Sequence, residues 1–238
     1  MSWLGSSVRS GNALRSGNGL RSGDSAREPR QRGNGRIFAL IAFWAVAVVG
    51  GEVFLWSYQL TPGAAADAAP ATWPADGSIP RHPGQPLLLM VAHPRCACTR
   101  ASLNEMRRLI ARFEGLHPPP ALYLSVVAPA GTGADWTDGP VLRNAASIRG
   151  LHVVVDPGGR FAARLGATTS GHVLVYGADG ALLFSGGITS ARAHEGDSIG
   201  QNAIVQALYQ KDPSVRRTLV FGCGLEDQPT SRLQGGRS

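Results

Sequence analysis

The sequence predicts an α/β domain, a mixed sheet flanked by helices on both faces, preceded by one transmembrane helix. Three observations predict it. Across residues 86–210, apolar runs of strand length alternate with segments of helical period. That alternation ends in a hairpin signal, Asp179-Gly180 between two apolar runs, and one more helical segment. Ahead of it, residues 37–58 form an apolar stretch of the length that crosses a bilayer, for which about 20 residues suffice.

Residues 1–36 repeat a loose unit, Arg-Ser-Gly-Asn or Arg-Ser-Gly-Asp at Arg9, Arg15 and Arg21, then Arg32-Gly33-Asn34-Gly35. Gly, Ser and Asn without an apolar period do not offset the entropy of ordering, so this part is expected to be a disordered tail. It carries seven arginines against Asp24 and Glu28, a net of +5 out of the +7 of the whole chain. The rest is nearly neutral, which excludes a basic nucleic-acid-binding domain. In residues 37–58, Trp56 and Tyr58 suit the far interface, and Glu52 lies near enough to that end for its carboxylate to reach water. Arginines flank only the amino-terminal side, so the tail is expected in the cytoplasm and the domain outside it. This is the topology of a single-pass signal-anchor protein of a cell inner membrane, with a periplasmic domain. A cleaved signal peptide, with Ala64-Ala65-Ala66 as the small-residue site, is the alternative, and the long leader and long span argue against it. Residues 59–85, rich in Ala and Pro, are expected to be a linker, with Trp73 as a packing residue.

The domain then runs in order. Leu87–Ala92 is wholly apolar, as a strand buried on both faces is. After Thr99, Leu103, Met106, Ile110 and Phe113 recur at helical spacing, with Asn104, Glu105, Arg107, Arg108 and Arg112 assigned to the other face. Leu122–Val127 is a second strand, and Gly131–Asp138 a loop. Asp138 and Pro140 open a short helix reaching about Arg149. Leu151–Val155 is a third strand, closed by the turn Asp156-Pro157-Gly158-Gly159. Phe161–Leu165 provides one or two helical turns. Val173–Tyr176 and Leu182–Ser185 form the hairpin. The capping-box pattern Ser198-Ile199-Gly200-Gln201 opens a helix over Asn202–Tyr209, apolar at Ile204, Val205 and Leu208. Residues 211–238 are a polar, Gly-rich tail. Its apolar patch, Leu219-Val220-Phe221 beside Cys223, predicts a segment that docks back on the domain.

Three cysteines are too few for a disulfide scaffold. Cys96 and Cys98 fall where a strand ends and a helix begins, where unpaired N–H groups and the helix dipole stabilise a thiolate. That placement points to redox or soft-metal chemistry. His93 either raises the thiolate fraction of Cys96 by its charge or serves only the turn. Thr99 either hydrogen-bonds a thiolate or simply starts the helix. Arg95 and Arg100 either add positive potential or are solvated. Cys223 is a possible third thiol, or a docked and inert cysteine. His194-Glu195-Gly196-Asp197 has metal-type donors, with loop and helix-cap use the preferred reading.

With cysteines at the first strand-to-helix turn, this order resembles the thioredoxin fold. More narrowly it resembles bacterial membrane-tethered, extracytoplasmic thiol-disulfide proteins. The matching pieces are Met90–Thr99, Val155-Asp156-Pro157-Gly158-Gly159, and Val173–Tyr176 through Gly180. The pattern His93-Pro94-Arg95-Cys96-Ala97-Cys98-Thr99, with Gly186-Gly187-Ile188-Thr189-Ser190 after the hairpin, is similar to RedB-type proteins. The resemblance covers roughly residues 85–210. It implies a thioredoxin-like sheet, a protein thiol or disulfide as partner, and no cofactor.

Two departures stand out. The family's usual site is Cys-x-x-Cys, whereas here one residue separates the pair. Residues i and i+2 of a helix point to nearly opposite sides, so a Cys96–Cys98 disulfide requires Cys96 to lie in the turn, outside the helix. The other register matches Cys96 and Thr99 to the two family positions and leaves Cys98 as an extra. The family's cis-proline before the fourth strand is replaced by Thr169-Ser170-Gly171. The expected function is a membrane-anchored thiol-disulfide oxidoreductase in which Cys96 attacks and Cys98 resolves. The alternative is a copper-binding or copper-delivery module, because two thiolates with His93 suit the soft Cu(I) ion.

Overall fold

All six residues of Leu87–Ala92 are buried, which a strand achieves when both faces are covered and both edges are paired. The structure, a computed structural model, describes residues 34–64, 68–74, 79–210 and 214–225. The repeat within residues 1–33, and residues 211–213 and 226–238 of the carboxyl-terminal tail, lie outside the described residues. In the sheet this run is the central strand, β1. It pairs in parallel with β2 (Ala121–Ala128) and antiparallel with β4 (His172–Tyr176). β2 pairs in parallel with β3 (Leu151–Pro157), and β4 antiparallel with β5 (Leu182–Gly186). The order β3-β2-β1-β4-β5 is a thioredoxin-like mixed sheet.

Alternation along the pleat divides the core into two layers. Leu88, Met90 and Ala92 join Leu122, Leu124, Val126, Val173 and Val175 beneath α2 (Ala97–Ala111), α3 (Pro140–Ala146) and α5 (Ile199–Gln210). Leu87, Leu89 and Val91 join Tyr123, Val127, Leu174 and Tyr176 on the opposite face, against Phe161, Ala162 and Leu165 of α4 and its end. α4 (Arg160–Arg164) is only five residues long and leaves part of that face uncovered. The described part of the stretch expected to be a linker fills the gap. Ala69 and Ile79 are buried there. Trp73 stands edge-on to Tyr176 at 5.0 Å and to Phe161 at 5.8 Å.

Local signals shaped the helices with some differences. Asp156 caps α4, accepting from the amides of Phe161 (3.1 Å) and Ala162 (2.8 Å). Ser198 Oγ accepts from the Gln201 amide (3.2 Å), but the Gln201 side chain turns inward instead of completing the capping box. α3 is capped by Gly139 and ends at Ala146, short of Arg149, while Asp138 pairs with Arg143 at 3.3 Å. Glu105, assigned to the polar face of α2, is buried. Its carboxylate accepts from the Gly196 amide and from Gln201 Nε2, each at 2.8 Å, and pairs with Arg108. The segment 195–198 and the first turn of α5 fold over α2 and cover a position that the helical period alone assigns to solvent.

The chain falls into two units, Met1–Ala47 and Val48–Ser238. The boundary runs through α1 (Asn34–Leu60), 27 residues long with none buried, apolar and long enough to cross a membrane.

Candidate functional site

β1 ends at Ala92, and His93-Pro94-Arg95 turns the chain into α2. The turn is closed by the Cys96 amide donating to the His93 carbonyl at 3.2 Å. Cys96 is the N-cap of α2, with extended backbone (φ −85°, ψ 122°) and no side-chain cap bond. It therefore lies outside the helix, and Cys98 lies within the first turn.

The loop Thr169-Ser170-Gly171 fastens this turn from across the sheet. The His93 amide donates to Ser170 Oγ (2.8 Å), and the Gly171 amide to the Val91 carbonyl (2.8 Å). Thr99 Oγ1 donates to the His93 carbonyl (3.1 Å) and lies 2.8 Å from Ser170 Oγ. Gly171 has φ +92°, a left-handed conformation that favours glycine. The hydroxyl of Thr99 thus serves the turn, while its backbone amide donates to the Cys96 carbonyl at 3.1 Å and lies near enough to the sulfur to favour its ionised form. His93 is buried, its ring edge-on to Trp136 at 5.2 Å, and its Nδ1 accepts from the Arg95 amide at 3.2 Å. The Arg95 guanidinium lies over Trp136, 4.3 Å from the ring centre.

All three cysteines are thiols. Cys96 and Cys223 bring their sulfurs to 2.9 Å. The Cys96 thiol is pulled from 9.0 to about 4, chiefly because the Cys98 thiol donates to its thiolate. Burial opposes this, and the Cys223 thiol and amide and the Thr99 amide add to it. Cys98 is pushed the other way because it is the donor, is buried and sits beside the negative sulfur. The amide of Ala193 faces Cys98, and Ala193 itself is held at φ +54°.

Cys223 reaches this place on an extended segment, here called the strap, spanning Thr218–Leu225. The Ser170 amide donates to the Cys223 carbonyl (2.8 Å) and the Leu225 amide to the Thr168 carbonyl (3.0 Å). Thr169 and Gly224 face each other between these two bonds as an antiparallel bridge. Arg192 holds the strap further, its Nη1 donating to the Gly222 carbonyl. The same guanidinium donates through Nε to the Thr61 carbonyl (3.0 Å) and lies over the Tyr58 ring (5.1 Å). A Cβ on Gly222 would stand 2.0 Å from the Ser170 carbonyl oxygen, so only glycine allows this approach.

Of the residues singled out by sequence, Cys96, Cys98 and Cys223 converge, while His93 and Thr99 shape the turn beneath them. His194–Asp197 instead braces α2: Glu195 accepts from Asn104 Nδ2 at 2.7 Å and lies 3.4 Å from Arg108. Among the described residues, no group of three or more His, Cys, Asp and Glu is arranged to hold a metal ion. Sequence reasoning missed Ser170, Trp136 and Arg192. Thr169-Ser170-Gly171 was marked only by where it stands, and the other two carried no signal.

No protein-family profile matches the chain, and no curated protein matches it. Among solved structures it is similar to an uncharacterized conserved protein from Geobacillus kaustophilus, at 14% identity and a TM-score of 0.49, over 73% of this chain and 92% of that one. It is also similar to the pneumococcal exposed lipoprotein thioredoxin Etrx1 from Streptococcus pneumoniae, at 20% identity and a TM-score of 0.38, over 53% and 85%. A third is a secreted Mycobacterium tuberculosis disulfide oxidoreductase homologous to E. coli DsbE, at 14% identity and a TM-score of 0.34, over 54% and 83%.

Proposed function

We propose that this chain is a membrane-anchored thiol-disulfide oxidoreductase of the RedB type, acting outside the cytoplasm through Cys96. One observation carries the reading. The Cys96 sulfur stands at the N-cap of α2 with a second sulfur 2.9 Å away, and its ionised form is favoured by the Cys98 and Cys223 thiols and the Cys223 and Thr99 amides. A thiolate held this way attacks a disulfide sulfur of a protein partner, forms a mixed disulfide and displaces a thiolate. Cys98, at the next position but one, keeps its proton and holds the attacking sulfur ionised. The arginines ahead of α1 favour a cytoplasmic tail and a periplasmic domain on an inner membrane.

The test uses the full chain in detergent with a disulfide-bonded fluorescent peptide. Wild type is expected to reduce the peptide stoichiometrically, and Cys96→Ser to lose the reaction. Undiminished exchange by Cys96→Ser overturns the reading. Copper delivery through Cys96, Cys98 and His93 is the competing function. If the sulfurs stay reduced against strong oxidant while the chain retains Cu(I) against a competing chelator, copper delivery replaces exchange. Protease added to spheroplasts is expected to digest the domain, and its protection would place the domain in the cytoplasm.

A further inference from the structure

We propose that Cys223 is the resolving thiol of this site, and that the strap occupies the place where an extended, cysteine-bearing segment of the protein partner docks. This rests on the reading that Cys96 exchanges disulfides, and it names both the second thiol and the kind of partner. The Cys223 sulfur is already 2.9 Å from Cys96, about 0.9 Å beyond a covalent S–S bond of about 2.05 Å. The strap is held by the hydrogen bonds of a β-strand, Ser170 N–H to Cys223 C=O and Leu225 N–H to Thr168 C=O. These groups belong to the backbone and do not depend on side-chain identity. Any extended chain with a cysteine in that register makes the same pair and delivers its sulfur to the same point. With the strap in place Cys96 is only 2% exposed, so a partner takes the strap's position to reach it. Cys98 is less suited to resolve. A Cys96–Cys98 bridge spans one residue where the backbone is already fixed by the Thr99 amide on the Cys96 carbonyl at 3.1 Å.

One turnover balances as follows. The Cys96 thiolate attacks one sulfur of the partner's disulfide, forming the Cys96–partner S–S bond. The partner's own S–S bond breaks, and its second sulfur leaves with the electron pair and takes a proton. The strap then returns, and Cys223, giving up its proton, attacks Cys96 Sγ. The Cys96–Cys223 bond forms, and the partner's first sulfur leaves as a thiolate and is protonated. The partner disulfide is reduced to two thiols, and the Cys96/Cys223 dithiol is oxidised to a disulfide.

Trypsin leaves Cys96 and Cys98 together in the peptide 96–100 and puts Cys223 in 218–232. After one turnover of the full chain with the disulfide peptide, thiols are blocked and the digest is analysed without reduction. The expected product is 96–100 linked to 218–232. An unlinked 96–100 two hydrogens lighter, with Cys223 blocked, overturns the proposal. As a second measurement, Cys223→Ser is expected to retain the mixed disulfide at Cys96, while Cys98→Ser resolves it. The reverse pattern overturns the proposal and leaves Cys96 exchange standing. Failure to form any mixed disulfide in either variant overturns the underlying reading of Cys96 instead.

Discussion

The pH profile of Cys96 alkylation tests the site most directly. Cys96 is pulled from 9.0 to about 4, so it is ionised above that pH and loses its reactive form as pH falls through it. At pH 6 an ordinary thiol at 9.0 is ionised in about one molecule in a thousand, whereas Cys96 is almost wholly thiolate. The rate advantage is much smaller than that ratio. Intrinsic nucleophilicity falls with pKa along a slope of about 0.45, so five units cost a factor of roughly 200. The net gain at pH 6 is therefore about fivefold, before the slowing caused by the strap. The shape of the profile, not the absolute rate, separates the two cases.

The strap does not move the midpoint. The thiolate reacts from a strap-open form in fixed ratio to the strap-closed thiolate, which dominates above pH 4. The rate therefore stays flat until the closed form itself is protonated. The assay follows iodoacetamide modification of peptide 96–100 by mass spectrometry between pH 3.5 and 9, with Cys98 and Cys96 distinguished by fragmentation. A plateau from about pH 5 upward, with the rate down about fourfold by pH 3.5, is expected. A rate at Cys96 that climbs tenfold per unit up to pH 8 refutes the cluster as a device for ionising Cys96.

Gly222→Ala drives a Cβ to within 2.0 Å of the Ser170 carbonyl oxygen and should lift the strap. Losing two main-chain hydrogen bonds at about 1 kcal/mol each raises the open population about thirtyfold, read as faster Cys96 alkylation at pH 7; an unchanged rate counts against the strap as a cover. Glu105→Ala strips the Gly196 amide of its acceptor and takes a charged acceptor from Gln201 Nε2, which keeps the Ile188 and Gly196 carbonyls; it should cost about 2–4 kcal/mol in urea unfolding, with a loss under 1 kcal/mol contradicting its role as a buried anchor. Phe184→Ala empties a fully buried position beneath α5 and should cost about 3–5 kcal/mol in the same assay.

The sheet was legible because its signals are local. The unbroken apolarity of Leu87–Ala92 marks a central strand, and Asp179-Gly180 marks the hairpin, whatever the rest of the chain does. The site was half legible for the same reason. Cys96 and Cys98 are placed by the strand-to-helix turn beside them, whereas the position of Cys96 at the N-cap, outside the helix, came only with the structure. The rest depends on contacts between residues far apart in the chain. Glu105 is read as solvated until Gly196 and the first turn of α5, some 90 residues on, cover it. Trp136 lies in a stretch expected to be loop, yet it forms a short 3-10 turn and donates through Nε1 to the Val127 carbonyl at 3.2 Å. The apolar Leu219–Phe221 announces that the tail docks, but Gly222, Arg192 and Ser170 fix where, and no periodicity links those three.

The two roles assigned to the strap are connected through the sulfur it covers. Of the four groups that favour the Cys96 thiolate, two belong to the strap, the Cys223 thiol and the Cys223 amide. When the strap lifts, both are withdrawn, and Cys98 and the Thr99 amide remain. The thiolate is then less well stabilised, its pKa rises, and its intrinsic nucleophilicity rises with it. A thiolate that is ionised but restrained under the strap becomes more reactive at the moment the docking edge opens. A partner strand paired with Ser170 and Thr168 restores the main-chain hydrogen bonds and brings its disulfide to the sulfur. Expulsion of the partner by the returning strap restores both donors once Cys96 is reduced again. Exposure and reactivity therefore change together, because the segment that shields Cys96 also carries two of the groups that favour its thiolate.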